Sequence, residues 1–337
     1  MFNSVYLDIA IGMIFIFLLY SILATAILEI FATWINIRGK YLRRSIHIMM
    51  NDFHLGNKLA KDFYDHPLIR KISFSRTDRL PSYIDPALFS KVVKDVLPNV
   101  NLGKEKEVTD TEKIRLLPDG ELKKALTVYL EKTSTDVDTQ IQKWFNNSMD
   151  RLSGAYKRMT QNRLLVIGLI LAITFNVNSI SVFTRLAADK DARAALVKQA
   201  EDFMEANQNY DSMMQKFKRR PDMDSLARAK DSAERNRNDS VLLEHFKKQR
   251  DSIKAFIDND IKKANNAIGI GWDNLKGANY WEKFVGSGWD WLLSILGWII
   301  TAFAITLGAP FWFDMLKKVI RIRGSGVKPG EDKAVKK

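Results

Sequence analysis

Glu29 and Asp314 are the two acids whose position gives them the most scope for chemistry, because each stands at one end of a long apolar run. An ionisable group at membrane depth is costly and commonly functional, so two carboxylates at similar depth would make a proton or cation site between the runs. The plainer reading pairs each acid with a neighbouring Lys or Arg at headgroup level, and neither acid is central enough in its run to decide against that. Asn176 is a third polar candidate, set inside the second apolar run. In the segment Gly308, Ala309, Pro310, Phe311, a proline follows small residues, which predicts a kink at Gly308 and Pro310. His47 and His54 share one predicted helix face seven residues apart, but no Cys or second carboxylate pair completes a metal set beside them.

No phosphate-cradling glycine loop, nucleophile elbow or metalloprotease helix occurs. The sequence therefore assigns no catalytic residue, cofactor or metal, and reads as a non-enzyme. The 52 Lys and Arg against 39 Asp and Glu give a net charge of +13, which raises the question of nucleic acid. The basic clusters Arg38, Lys40, Arg43, Arg44 and Lys317, Lys318, Arg321, Arg323 adjoin apolar runs and carry no interleaved exposed aromatics. Anionic lipid headgroups are their expected partner, and nucleic acid is not. The chain has no cysteine, so it makes no disulfide.

Three apolar blocks must position these residues. Ile9 to Leu28 is an unbroken run of the ~20 residues a span needs, too long for a signal-peptide core and preceded by Asp8 instead of a basic residue. The second block is apolar from Leu164 to Phe175 and then polar at Asn176, Asn178, Ser179 and Ser181. The third, Trp291 to Phe313, carries no charge and has aromatic residues at both ends, as an interfacial belt would. The expected fold is all-α. It has an N-terminal transmembrane helix (1–35), a cytoplasmic helical region (36–160), a second span (161–183), an extracytoplasmic helical hairpin with a Trp- and Gly-rich interfacial segment (184–288), a third span (289–316) and a basic cytoplasmic tail (317–337). Basic residues flanking the spans place the N-terminus outside and the C-terminus in the cytoplasm.

Within the base, Asp85 and Pro86 read as an N-cap and first-turn proline, and Val137, Ile141, Trp144, Phe145, Leu152 and Tyr156 recur at helical spacing into the second span. Residues 186 to 266 predict two long helices broken near Pro221.

Three stretches, YSILATAILEIFATWINIRGKYLRR from Tyr20, DRLSGAYKRMTQNRLLVIGLILAITFNVNSI from Asp150 and LGWIITAFAITLGAPFWFDMLKKVIRIR from Leu296, resemble a widespread family of uncharacterised bacterial integral membrane proteins. LPSYIDPALFSKVVKDVL from Leu80 is a shorter likeness. The RLSGxYKRxTQ and LGAPFWFD strings carry it most specifically. The resemblance implies a bacterial inner-membrane location and a three-span layout, and implies no reaction. It points to Glu29, Arg38, Lys40, Arg151, Tyr156, Arg158, Asn176 and Asp314.

The resulting expectation is a membrane scaffold or complex subunit. Its partners would be lipids and either other membrane or envelope proteins or further copies of itself. The alternative is an oligomeric channel or transporter subunit that uses Glu29 and Asp314.

Overall fold

The computed structural model describes residues 5–50, 58–72, 80–81, 83–97, 109, 114–115, 121–131, 136–218, 244, 246–272 and 290–325. Among them every regular element is helical. Pro221, His54, Phe53 and most of the Trp- and Gly-rich segment lie outside the described residues. The chain folds as two compact units. The first comprises Met1–Phe31 and described residues after Thr160, and the described part of the second lies within Ala32–Met159.

The first unit is built on α1 (Val5–Trp34). Within it Val5–Ala32, 28 residues whose most apolar stretch has a mean hydropathy of 2.5, is long and apolar enough to cross a membrane. Two further spans are possible, each made of a bent pair of helices. A helix that is apolar all round must be covered on every side, and α1 is covered largely by its own chain: Ile11, Ile16, Leu18, Leu19, Tyr20, Ile22 and Leu23 have no exposed surface.

The covering helices are short and polar on one face, and α9 (Lys190–Ala206) is typical. Its buried Leu196, Val197, Ala200 and Phe203 repeat at helical spacing, and Phe203 meets Phe15 at 5.6 Å. Asp189 ends α8 (Ser179–Ala188) and caps α9, its Oδ1 accepting from the N–H groups of Asp191 and Ala192. A further break at Asn207–Asn209 precedes α10 (Tyr210–Lys218). The long helix expected after residue 186 is thus three, because Asp189 and Asn209 each offer the backbone a side-chain cap. Residues 246–268 form α11, with a π turn at Ile257–Ile261. From it Asn265 Nδ2 donates to the buried Tyr20 hydroxyl at 2.8 Å.

Both remaining apolar blocks are broken. α7 (Val137–Thr174) bends by 52° into α8. α12 (Asp290–Thr306) turns by 92° into α13 (Ala309–Ser325). The expected kink is therefore a corner. Gly308 takes φ +89, where a side chain would be strained, and Pro310 falls in the first turn of α13, where its missing N–H leaves no intrahelical bond unmade. The corner sends α13 back along α1: Trp312 meets Phe17 at 4.9 Å, and Arg323 pairs with Asp8 at 3.1 Å. The spans as expected put Asp8 and Arg323 on opposite faces of a membrane. In the structure the two form an ion pair.

The second unit packs α2 (Ile37–Met50), α3 (Lys58–Asp65), α4 (Pro67–Ile72), α5 (Pro86–Val96), α6 (Glu121–Glu131) and the first part of α7. The start of α5 follows local chemistry: the Asp85 carboxylate accepts from the N–H groups of Ala87 and Leu88, with Pro86 in the first turn. At its centre Phe89 lies against Phe63, Trp144 and Phe145, the last stacked at 4.3 Å.

Asp138 ties α7 to α5, accepting from Lys94 Nζ at 2.5 Å and Ser90 Oγ at 2.6 Å. Burial raises the pKa of this carboxyl, but the Lys94 and Ser90 hydrogen bonds and the Lys94 and Lys91 charges together outweigh it and hold it below its usual value. A folded-state pKa below the unfolded one, ~3.9, gives stability that is present at neutral pH and lost as pH falls through the folded value. Asp138→Asn is expected to flatten the acid limb of the stability profile, read as the thermal midpoint between roughly pH 6 and pH 3. An unchanged limb would place the acid sensitivity elsewhere.

Candidate functional site

The structure separates the two acids that the sequence put at similar depth. Asp314 is exposed on α13, two residues past Trp312, which rests on Phe17. Glu29 lies twelve residues beyond Phe17 on α1, about 18 Å at the helical rise. From Trp312, α13 runs away from Glu29 towards Asp8.

Asn176 does have a partner set, but a structural one. It sits at φ +50 in the break between α7 and α8, a conformation Asn tolerates, and its Oδ1 accepts from Trp298 Nε1 at 3.3 Å. Next to it Asn178 caps α8 through the N–H groups of Ile180 and Ser181, while its Nδ2 donates to the Ser294 carbonyl. Thr301 Oγ1 lies 2.8 Å from the carbonyls of both Val177 and Gly297 and accepts from the Ser179 N–H. Trp272 Nε1 donates to the carbonyls of Ile173 and Thr174. Backbone groups freed by a break between buried helices need partners inside the protein, and these side chains supply them. Asn178 before an apolar helix is a readable cap signal, whereas Thr301, Trp298 and Trp272 carry none.

Among the basic residues, Lys40, Arg43, Arg44, Lys317, Lys318 and Arg321 are exposed. Arg323 is not a solvated headgroup ligand. It binds Asp8 and Glu201. Arg43 lies over the Tyr64 ring, and His47 stacks on the same ring. No group of three metal-ligating side chains occurs among the described residues.

A site with room for a ligand lies in the second unit, a cavity of about 370 Å³. One wall is α2, where Arg38, Tyr41, Leu42 and Ser45 follow the three- and four-residue steps of a single helix face. The facing wall is α7, where Phe145, Met149, Leu152 and Tyr156 do the same. Tyr83, Ile84 and Pro86, at the start of α5, form the third side. Asn36 holds this corner. At φ +50 it turns the chain into α2, its Nδ2 donates to the Leu80 carbonyl at 2.9 Å, and its Oδ1 accepts from Gly39 N–H. A Cβ on Gly39 would stand 2.5 Å from that carbonyl, so the close approach requires glycine here. The lining is mostly apolar with a few convergent polar groups, as in ligand pockets generally. Arg38 and Tyr156, both indicated by the family resemblance, line it; Lys40, Arg151 and Arg158 do not.

Comparison with family models, with curated proteins and with solved structures found no match to the chain.

Proposed function

We propose that the chain is a non-enzymatic membrane component, anchored through α1, whose helical units hold other proteins or further copies of itself as a scaffold or complex subunit. The observation that carries this reading is the packing around α1: the most apolar helix serves as the filled core of a folded unit. An apolar helix of that length favours a bilayer, as do the exposed Val166, Ile170, Leu296, Ile299 and Phe303 on α7 and α12, a patch that water would leave uncovered. The cluster Arg38, Lys40, Arg43 and Arg44, just past α1, supports a cytoplasmic position for the second unit under the positive-inside rule. The family resemblance supports a bacterial inner membrane.

In chemically crosslinked membranes, mass determination of the solubilised particle is expected to give a fixed stoichiometry above one chain. A monomer under those conditions would overturn the proposal.

The channel reading needs Glu29 and Asp314 within reach of one another, and their separation along α1 argues against it. Liposomes bearing the protein are expected to leak protons no faster than empty ones. A flux abolished by both Glu29→Gln and Asp314→Asn would reinstate a conducting site.

A further inference from the structure

We propose that the first unit meets the acyl chains of a bilayer through the outer sides of α12 and the end of α7, and that the middle of α1 is screened from them. The inference rests on the proposed membrane location and names the surface that makes it, with α1 as the spine behind that surface.

The two helices form an antiparallel pair inside one unit. Gly168 of α7 lies against Ala302 and Ile305, while Asn176, just past the end of α7, meets Trp298. Neither 164–173 nor 291–306 carries a charge. Trp291–Thr306 alone rises about 24 Å, close to the ~30 Å of a hydrocarbon core.

The polarity of the pair is the reverse of that of helices packed in water. Thr301 is fully buried, and Asn178 and Ser179 nearly so, while Val166, Ile170, Leu296 and Phe303 stand outside, Phe303 at 58% exposure. In water an amphipathic helix buries its aliphatic side and leaves its polar side out. Lipid favours the opposite, with small, hydroxyl and amide side chains between helices and large apolar ones outward.

The most apolar helix is treated differently. Residues 15–24 of α1 are all buried, and two of the helices over them turn charge outward. α9, whose Phe203 rests on Phe15, exposes Lys198 and Asp202; α11, whose Asn265 reaches Tyr20, exposes Lys254 and Lys263. Charged faces of that kind stay in water because hydrocarbon cannot solvate them. On other sides Phe175 and Trp312 lie on Tyr20 and Phe17.

Lipid and a protein partner both cover apolar faces, and charge decides between them. α13 leaves α12 at 92° and so runs along the surface that α12 enters, with Lys317, Lys318 and Arg321 exposed. A basic helix across the foot of an uncharged pair complements anionic headgroups bordering hydrocarbon.

The test reconstitutes the unaltered full chain into vesicles of phosphatidylglycerol and phosphatidylcholine, the latter with a diazirine near the end of one acyl chain. Illumination, proteolysis and mass spectrometry are expected to find lipid adducts on α12 and on 164–173, and none on 15–24. Leu296→Arg with Ile299→Arg should reduce the fraction of chain that floats with the vesicles about tenfold or more, since both guanidinium groups would enter hydrocarbon. Ala195→Arg with Asp202→Arg, the same side chains placed on the outer side of α9, should not reduce it. Helical ellipticity of each variant establishes folding.

Adducts on 15–24 as abundant as those on α12 would overturn the screening of α1. A chain that floats yet takes no adduct on α12 has that face covered by protein, a second copy included, which overturns the lipid assignment. Undiminished flotation of the folded Leu296→Arg, Ile299→Arg variant would overturn it too. An unaltered chain that fails to float overturns the proposed membrane location itself, a result distinct from the other three.

Discussion

Phe89→Ala is expected to lower the stability of the second unit by about 3–5 kcal/mol, the range for removing a buried aromatic side chain. The ring has no exposed surface and is held on three sides, by Phe63, Trp144 and Phe145. Its neighbours are themselves large and close-packed, so they cannot collapse into the space and the cavity term adds to the transfer term. Phe145 also lines the cavity between α2 and α7, so loss of its stacking partner frees a cavity wall. The measurement is thermal unfolding followed by emission of Trp144 in a variant lacking the other tryptophans. Phe89→Leu, which keeps most of the volume, should lose distinctly less. A loss below about 1 kcal/mol for the alanine variant would mean that the core repacks, contrary to its tight aromatic geometry.

Gly297→Ala is the second large effect, and its sign runs against helix propensity. In the middle of a helix this substitution ordinarily gains about 1 kcal/mol. Here the new Cβ would stand 1.8 Å from Asn178 Oδ1 and 2.3 Å from its Cγ. The Asn178 side chain has nowhere convenient to move, because it caps α8 at two N–H groups and donates to the Ser294 carbonyl. Displacing it forfeits a cap worth about 0.5–2 kcal/mol and leaves N–H groups short of partners in apolar surroundings, at about 1–3 kcal/mol. A net loss of about 1–3 kcal/mol follows once the propensity gain is subtracted. In an Asn178→Ala background the clash is absent, and Gly297→Ala should then be neutral or stabilising. Thermal midpoints of the two single variants and the double variant measure that coupling directly. A higher midpoint for Gly297→Ala alone would show that the joint between α7 and α8 is not held as described.

The features written in short stretches of sequence are those whose physics is local. The apolar run from Ile9 suffices to make α1 a candidate span, because length and hydropathy are summed residue by residue. Asp85 and Pro86 start α5 where they should, since a cap needs only the next few N–H groups. The disruption at Gly308 and Pro310 follows equally from one flexible and one donor-free residue. One cavity wall was partly visible too, as the helical repeat through Phe145, Leu152 and Tyr156.

Tertiary structure decided which residues these signals would meet. Hydropathy records that α1 is apolar but not what covers it, so the amphipathic stripe of α9 could not be matched to Phe15 in advance. The angle at Gly308 depends on Trp312 finding Phe17 and Arg323 finding Asp8, and it is this angle that parts Asp314 from Glu29. Asn176 and Asn178 read as the polar end of a span until Trp298 and Thr301, over a hundred residues later, supply the joint's other half. A cap or a turn is settled within about four residues of chain, whereas a cavity, a corner or an ion pair is settled by packing between segments whose separation in sequence carries no record of their contact.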